Sequence, residues 1–412
     1  MQSTYSLDLQ RARDLVGAFL DQISAELQLS INKPIHDRPE TCYEEFFACE
    51  TISSYLESKG FHVTRKAYGL DTSFEASIGE SGRQVVFCAE YDALPGIGHA
   101  CGHNLIATSS IAAFLSTAHV LQTLNIAARL RLLGTPAEEG GGGKAKLIHA
   151  GAFDPPEDIA AAIMAHPVTR VVEPDGASYA GLAGGKSSAS HKFKVEFHGK
   201  TAHAAGSPWD GINALDAAVS AYNNVALLRQ QIRRDERIHA IIEVGGTVQN
   251  VITSYARMSW NVRAPTLKAA DVLLERVKAC INAGALATQC TTTYLPLPTS
   301  ANLRANEMLS RVYVEDMARF GRNILALREQ PSNASTDMGN VSHHVPSFHG
   351  RFSINAPPGV TIHNPAFTAL ARTDEAHREC IMAAKGMAML ALRVLTDSKV
   401  SDGARNDFET KD

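Results

Sequence analysis

Cys101 and His103 stand two apart around a glycine, inside the run His99-Ala-Cys101-Gly-His103-Asn104. On an irregular turn both side chains can aim at one point, and thiolate and imidazole are strong ligands for zinc and other borderline metals. Taken alone, the pair reads as readily as a buried thiol beside a core histidine. Glu138 and Glu139 shift the balance. They are adjacent in Gly134-Thr-Pro-Ala-Glu138-Glu139-Gly-Gly-Gly-Gly143, after a run that reads as a buried strand. Two carboxylates there repel one another and are costly to desolvate unless a cation neutralises them. With one as a ligand, the other is left as general base for a water whose pKa the metal lowers. The plain alternative for these two residues is an exposed acidic turn. His166, followed by Pro167, and His363, in Gly359-Val-Thr-Ile-His363-Asn-Pro365, bring to four the separate segments carrying ligand-type residues.

These residues need elements to position them. Helical spacing runs over 9–27 and 42–58, strand-like runs cover 61–65 and 84–89, and Glu90-Tyr-Asp92-Ala-Leu-Pro95 breaks the pattern. A helix over 105–124, a strand over 129–133, a helix over 144–151 and a strand over 160–165 follow. His166 then falls at a strand's carboxyl end, where open α/β sheets place their sites. From 188 the order changes to strand 191–198, helix 211–229, strands 238–244 and 255–262, helix 267–287 and strand 291–297, the split βαβ arrangement. The expected fold is α/β: a layered catalytic domain, residues 1–187 and 299–412, whose mixed sheet is flanked by helices. A βαββαβ (ferredoxin-like) lid or dimerisation domain at 188–298 interrupts it.

The chain has 412 residues, 45% of them hydrophobic and 20% charged, with a net charge of −4. That is ordinary globular composition. The nearest basic cluster, Arg229 to Arg237, has mixed signs and fits a solvated helix end, so no nucleic-acid partner is expected. Seven cysteines scattered along the chain favour a reducing compartment. The N-terminus lacks a basic start followed by an apolar run, and no apolar stretch approaches the roughly 20 residues that span a bilayer. A cytoplasmic protein without a membrane partner is expected.

At this point the motifs resemble peptidase family M20, the aminoacylase, carboxypeptidase-G and indole-acetyl-amino-acid hydrolase group, and within it the beta-alanyl-lysine dipeptidase type. The likeness lies in the run from Glu90 to Ala107, in Thr135-Pro-Ala-Glu-Glu139, Met164-Ala-His-Pro167, Gly199-Lys-Thr-Ala-His-Ala-Ala205, the run from Pro208 to Ala217 and Ser335-Thr-Asp-Met-Gly-Asn-Val-Ser342. It implies Cys101, His103, Glu139, His166 and His363 as ligands of two divalent metal ions, zinc or manganese, with cobalt a third option. It further implies Glu138 as general base and Asp92 as the residue that orients a ligand. His203 would reach a partner subunit's site in a homodimer and steady the oxyanion. Asn250 and Arg263 would contact the carboxylate side of the substrate. Many members carry His-x-Asp where this chain has Glu90-Tyr-Asp92, and Glu90 is left outside the ligand set.

The expected activity is hydrolysis of the amide bond of a small dipeptide or N-acyl amino acid by a water bridging two metals. One rival is a pathway-specific amide hydrolase or amide-forming enzyme on a dedicated metabolite. Another is a non-catalytic metal-binding protein that retains the fold. Loss of Glu138 or of a ligand would mark the latter, and neither is lost.

Overall fold

The structure is a computed structural model that describes residues 7–328, 332 and 334–410. Its strands in chain order are β1 (His62–Arg65), β2 (Phe74–Ile78), β3 (Gln84–Ala89), β4 (Arg129–Gly134) and β5 (Ile159–Val168). A short pair, β6 (Val171–Val172) and β7 (Ser178–Tyr179), precedes β8 (Gly181–Gly184). Next come β9 (Ala189–His198), β10 (Arg237–Val244), β11 (Tyr255–Ala264) and β12 (Thr291–Pro296), then β13 (Ile324–Leu327) and β14 (Ser347–Ser353).

The chain divides into two units. The first takes the residues up to Lys186, the stretch that begins at Leu303, and everything from Asp337 on. Its sheet has the order β1-β2-β4-β3-β5-β14-β8-β13. β3 runs parallel to β4 and β5, and β14 runs parallel to β5, whereas β1, β2 and the β14–β8 contact are antiparallel. Gln84-Val-Val-Phe-Cys-Ala89 shows no alternation because both faces of this central strand are covered, the usual state of parallel strands. On one face Phe87, Ala89, Ile163 and Ala165 pack in the main core with the helices His103–Thr123 and Asp374–Thr396. On the other, Val86, Cys88, Ile159 and Met164 pack with Leu147, Met338 and Val341.

The helix His103–Thr123 is buried on every side, between the sheet and the helices Leu9–Leu27 and Asp374–Thr396. It is long and apolar enough to cross a membrane, contrary to the expectation from the sequence, but 94% of its apolar window is buried inside the fold. A core helix apolar all round is the expected product of that position.

The second unit, Ser187–Asn302 with a segment ending at Thr336, carries an antiparallel sheet of order β10-β11-β9-β12. In β11 alternate residues Ala256, Met258, Trp260, Val262 and Ala264 are buried, because the helices Ala214–Leu228 and Leu267–Ala287 cover one face only.

Several bounds differ from those expected. The second helix begins at Phe46, and Gly143 rather than Lys144 starts the helix that ends at His149. β5 runs on to Val168, so His166 lies inside it. Its pairing with β3 stops at Phe87 and Ile163, while that with β14 continues to Val168. Pro167 therefore has a strand neighbour on one side only, which is where a residue without an N–H is tolerated.

Candidate metal centre

The parallel direction of β3, β4 and β5 brings Glu90 and Asp92, Glu138 and Glu139, and His166 to one end of the sheet. Cys101 and His103 join them through a sharp turn. Gly102 between them has φ +80°, and a Cβ there would come within 2.6 Å of Pro167 Cγ. His103 then opens its helix with a fully buried ring. His363, itself at φ +63°, is tied to this turn by its N–H, which donates to Ala100 O at 2.8 Å.

Ligand atoms of Cys101, His103 and His166 lie within 4.8 Å of one another, as do those of Cys101, Glu139 and His363, and of His103, Glu138 and Glu139. Cys101 Sγ is 3.3 Å from His166 Nε2, and His363 Nε2 is 3.1 Å from Glu139 Oε1. His166 Nδ1 donates to Pro167 O at 2.7 Å, leaving the Nε2 lone pair turned to the cluster. His103 Nδ1 donates to Asp92 Oδ1 at 3.0 Å, and Asp92 Oδ2 accepts the Glu139 N–H at 2.9 Å. Three buried atoms here, Glu90 Oε2, His103 Nε2 and Glu139 Oε1, have no hydrogen bond among the described residues. Buried polar atoms are rarely left so. A thiol, imidazoles and carboxylates converging with unused lone pairs fit divalent cations.

The adjacent carboxylates are pushed apart. Burial raises the Glu138 pKa well above the ordinary value, and the nearby Glu90 and Asp337 raise it further. Burial also acts upward on Glu139, but the closeness of His363 and the charge of His103 outweigh it and leave Glu139 below its usual range. Burial drives the Cys101 thiol up and the His166 imidazole down to about 4. A divalent ion would have to displace the thiol proton, whereas His166 is already neutral.

The turn that presents these two acids is held from outside. Ala137 has φ +60°, a left-handed conformation that a non-glycine residue adopts only under constraint. Its N–H donates to Glu45 Oε1 at 2.9 Å, and Thr72 Oγ1 donates to Glu45 Oε2 at 2.7 Å. Glu45 is fully buried, and nothing local in the sequence marks it; Glu45 and Ala137 are 92 positions apart. Lys144 and Asp337 likewise have no role assigned from the sequence. Lys144 Nζ, fully buried, donates to Glu90 Oε1 at 2.5 Å and to Asp337 Oδ1 at 2.7 Å. A lysine directly after four glycines at the mouth of a helix was the available signal.

His203, Asn250 and Arg263 belong to the second unit. His203 Nδ1 accepts from the N–H groups of Ala205 and Gly206 at 3.2 and 3.0 Å, and Ala204 N–H donates to Asn250 O at 3.1 Å. Arg263, opposite Ser190 and Arg237 in the sheet, donates to Ser335 Oγ at 2.9 Å.

A model of peptidase family M20/M25/M40 matches residues 86–389. A Mus musculus protein named Xaa-Arg dipeptidase is 37% identical over 94% of this chain and 90% of its own length. A p-aminobenzoyl-glutamate hydrolase of Escherichia coli is 29% identical over 92% of this chain and 91% of its own. Among solved structures, a Bacillus subtilis protein described as a dinuclear metal binding peptidase from the M20 family superposes with a TM-score of 0.64. That match covers 91% of this chain and 99% of the other at 20% identity, a likeness of fold.

Proposed function

Since the chain belongs to peptidase family M20/M25/M40 and is thereby a hydrolase of peptide or amide bonds, we propose that it cleaves a dipeptide or N-acyl amino acid with metal assistance and Glu138 as general base. Cys101, His103, Glu139, His166 and His363 are the residues proposed to hold two divalent ions, zinc or manganese, with cobalt as a further option. Such ions, when bound, lower the pKa of water and polarise a carbonyl. The observation that carries this reading is the convergence of unused buried donor atoms, His103 Nε2 and Glu139 Oε1 among them, on one point beside Glu138.

Glu138 takes a proton from the attacking water and returns it to the amide nitrogen as the C–N bond breaks. A carboxyl raised by burial and by neighbouring acids suits a group that must accept and then donate near neutrality. Asp92 fixes the tautomer of His103. In the second unit, His203 accepts at Nδ1, so its proton sits on Nε2, available to an oxyanion. Its proposed role is in a homodimer, completing the partner's site. Arg263 is proposed to pair with the substrate carboxylate and Asn250 to border it. All seven cysteines are free, in keeping with the reducing conditions of cytoplasm.

The test is a panel of dipeptides, including Xaa-Arg, and N-acyl amino acids, including p-aminobenzoyl-glutamate, offered to the protein loaded in turn with Zn, Mn and Co. Turnover of one class with a metal, abolished by a chelator, is the expected result. Bound metal without turnover of any substrate would move the reading to a non-catalytic binding protein.

A further inference from the structure

Lys144 carries a charge with no access to water. A lone ammonium in such a place gives up its proton, because burial disfavours the charged form. Here two carboxylates hold it: Glu90 Oε1 at 2.5 Å and Asp337 Oδ1 at 2.7 Å. Asp337 is fixed a second time, since its Oδ2 accepts the backbone N–H of Lys144 at 2.9 Å. Glu90, Glu138 and Asp337 form an acid cage of their own, with carboxylate oxygens within 4.8 Å of one another. Oxygen donors so spaced suit a hard divalent cation. The cage shares Glu138 with the group of His103, Glu138 and Glu139. An ion in the cage would therefore occupy the carboxylate that is needed as a base.

We propose that Lys144 is a built-in cation that fills the Glu90–Asp337 side of this cage, excludes divalent metal from it, and so keeps Glu138 free for catalysis. The proposal rests on the preceding reading of the metal centre. It makes Lys144 a positioning residue, since it acts through Glu90 and Asp337 and not on the substrate. It also accounts for Glu90, whose Oε1 is committed to Lys144 while Oε2 lies 3.6 Å from His103 Nε2. Glu90 and Asp337 are 247 positions apart and meet only through the lysine that lies between them in the chain.

The test compares the full-length wild type with Lys144→Met and with the neutralised triple variant Glu90→Gln, Lys144→Met, Asp337→Asn. Each is dialysed against Mn(II), its bound ions are counted by plasma mass spectrometry, and its kcat and KM are measured. The wild type should hold two ions per chain. Lys144→Met should hold one more, and its kcat should fall about 100-fold, the scale of a lost general base, with KM nearly unchanged. The triple variant, with no cage, should return to two. Two ions in Lys144→Met, at wild-type affinity, would overturn the proposal. Should Lys144→Met not fold, the triple variant decides. Two ions there uphold the exclusion of Glu90 and Asp337 from the metal set, and fewer than two overturn it. A wild type that binds no divalent ion would sink the metal centre itself, which is a different failure.

Discussion

Asp92 holds His103 through Nδ1 at 3.0 Å, with both side chains shut off from solvent. An ionised carboxylate only accepts, so the proton is on Nδ1 and the Nε2 lone pair is turned toward Glu138 and Glu139, each 4.0 Å away. The same carboxylate fixes the backbone of Glu139. One acid thus orients two of the proposed ligands.

Asp92→Asn keeps the shape and removes the charge. Its amide cannot accept from both the His103 ring and the Glu139 N–H through the same two atoms. Metal affinity, measured by competition with a chromophoric chelator, should fall about 10- to 100-fold, the usual scale for a residue behind a ligand. Wild-type affinity would remove Asp92 from this role.

Gly102→Ala tests the turn between Cys101 and His103. The added methyl meets Pro167 in a backbone conformation that L-residues avoid. A loss of about 1–3 kcal/mol in urea unfolding is expected, together with reduced metal content. A stable, fully loaded variant would show that the turn relaxes freely.

Glu45 supplies a pH dependence that does not involve the metal ligands. Burial raises its pKa to about 7, partly offset by its hydrogen bonds. Because the folded value lies above the unfolded one, its contribution to stability is complete below about pH 4.5 and is lost as pH rises through 7. The stability of metal-free wild type relative to Glu45→Gln should therefore fall between pH 5 and pH 8, by on the order of 2 kcal/mol. Parallel pH profiles from urea unfolding would contradict this.

His203→Ala should lower kcat about 100- to 1000-fold, as for removal of one oxyanion donor. Mixing it with inactive Glu138→Gln subunits should restore part of the activity if the histidine serves the partner. Light scattering that shows a fully active monomer would end that role.

Much of the site was legible because its signals are local. Cys101-Gly-His103 and Glu138-Glu139 each announce themselves within a few residues, and the alternation along β11 marks a sheet covered on one side. The strands β2, β8 and β13 were not legible, being only four or five residues long and without a clear period. The end of β5 was misread because His166-Pro167 looks like a stop, and only pairing with β14 explains its continuation. Glu45, Lys144 and Asp337 escaped notice for another reason. Each matters through a partner far away in the chain, and a buried charge gives no sign in the sequence of what neutralises it.

Glu138 is the centre of the proposed chemistry, and the most direct measurement is the steady-state kinetics of metal-loaded Glu138→Gln on the substrate that the wild type turns over fastest. The predicted result is a kcat lower by about 100- to 10,000-fold, with two divalent ions still bound per chain. Unchanged kcat at the same metal content would contradict it.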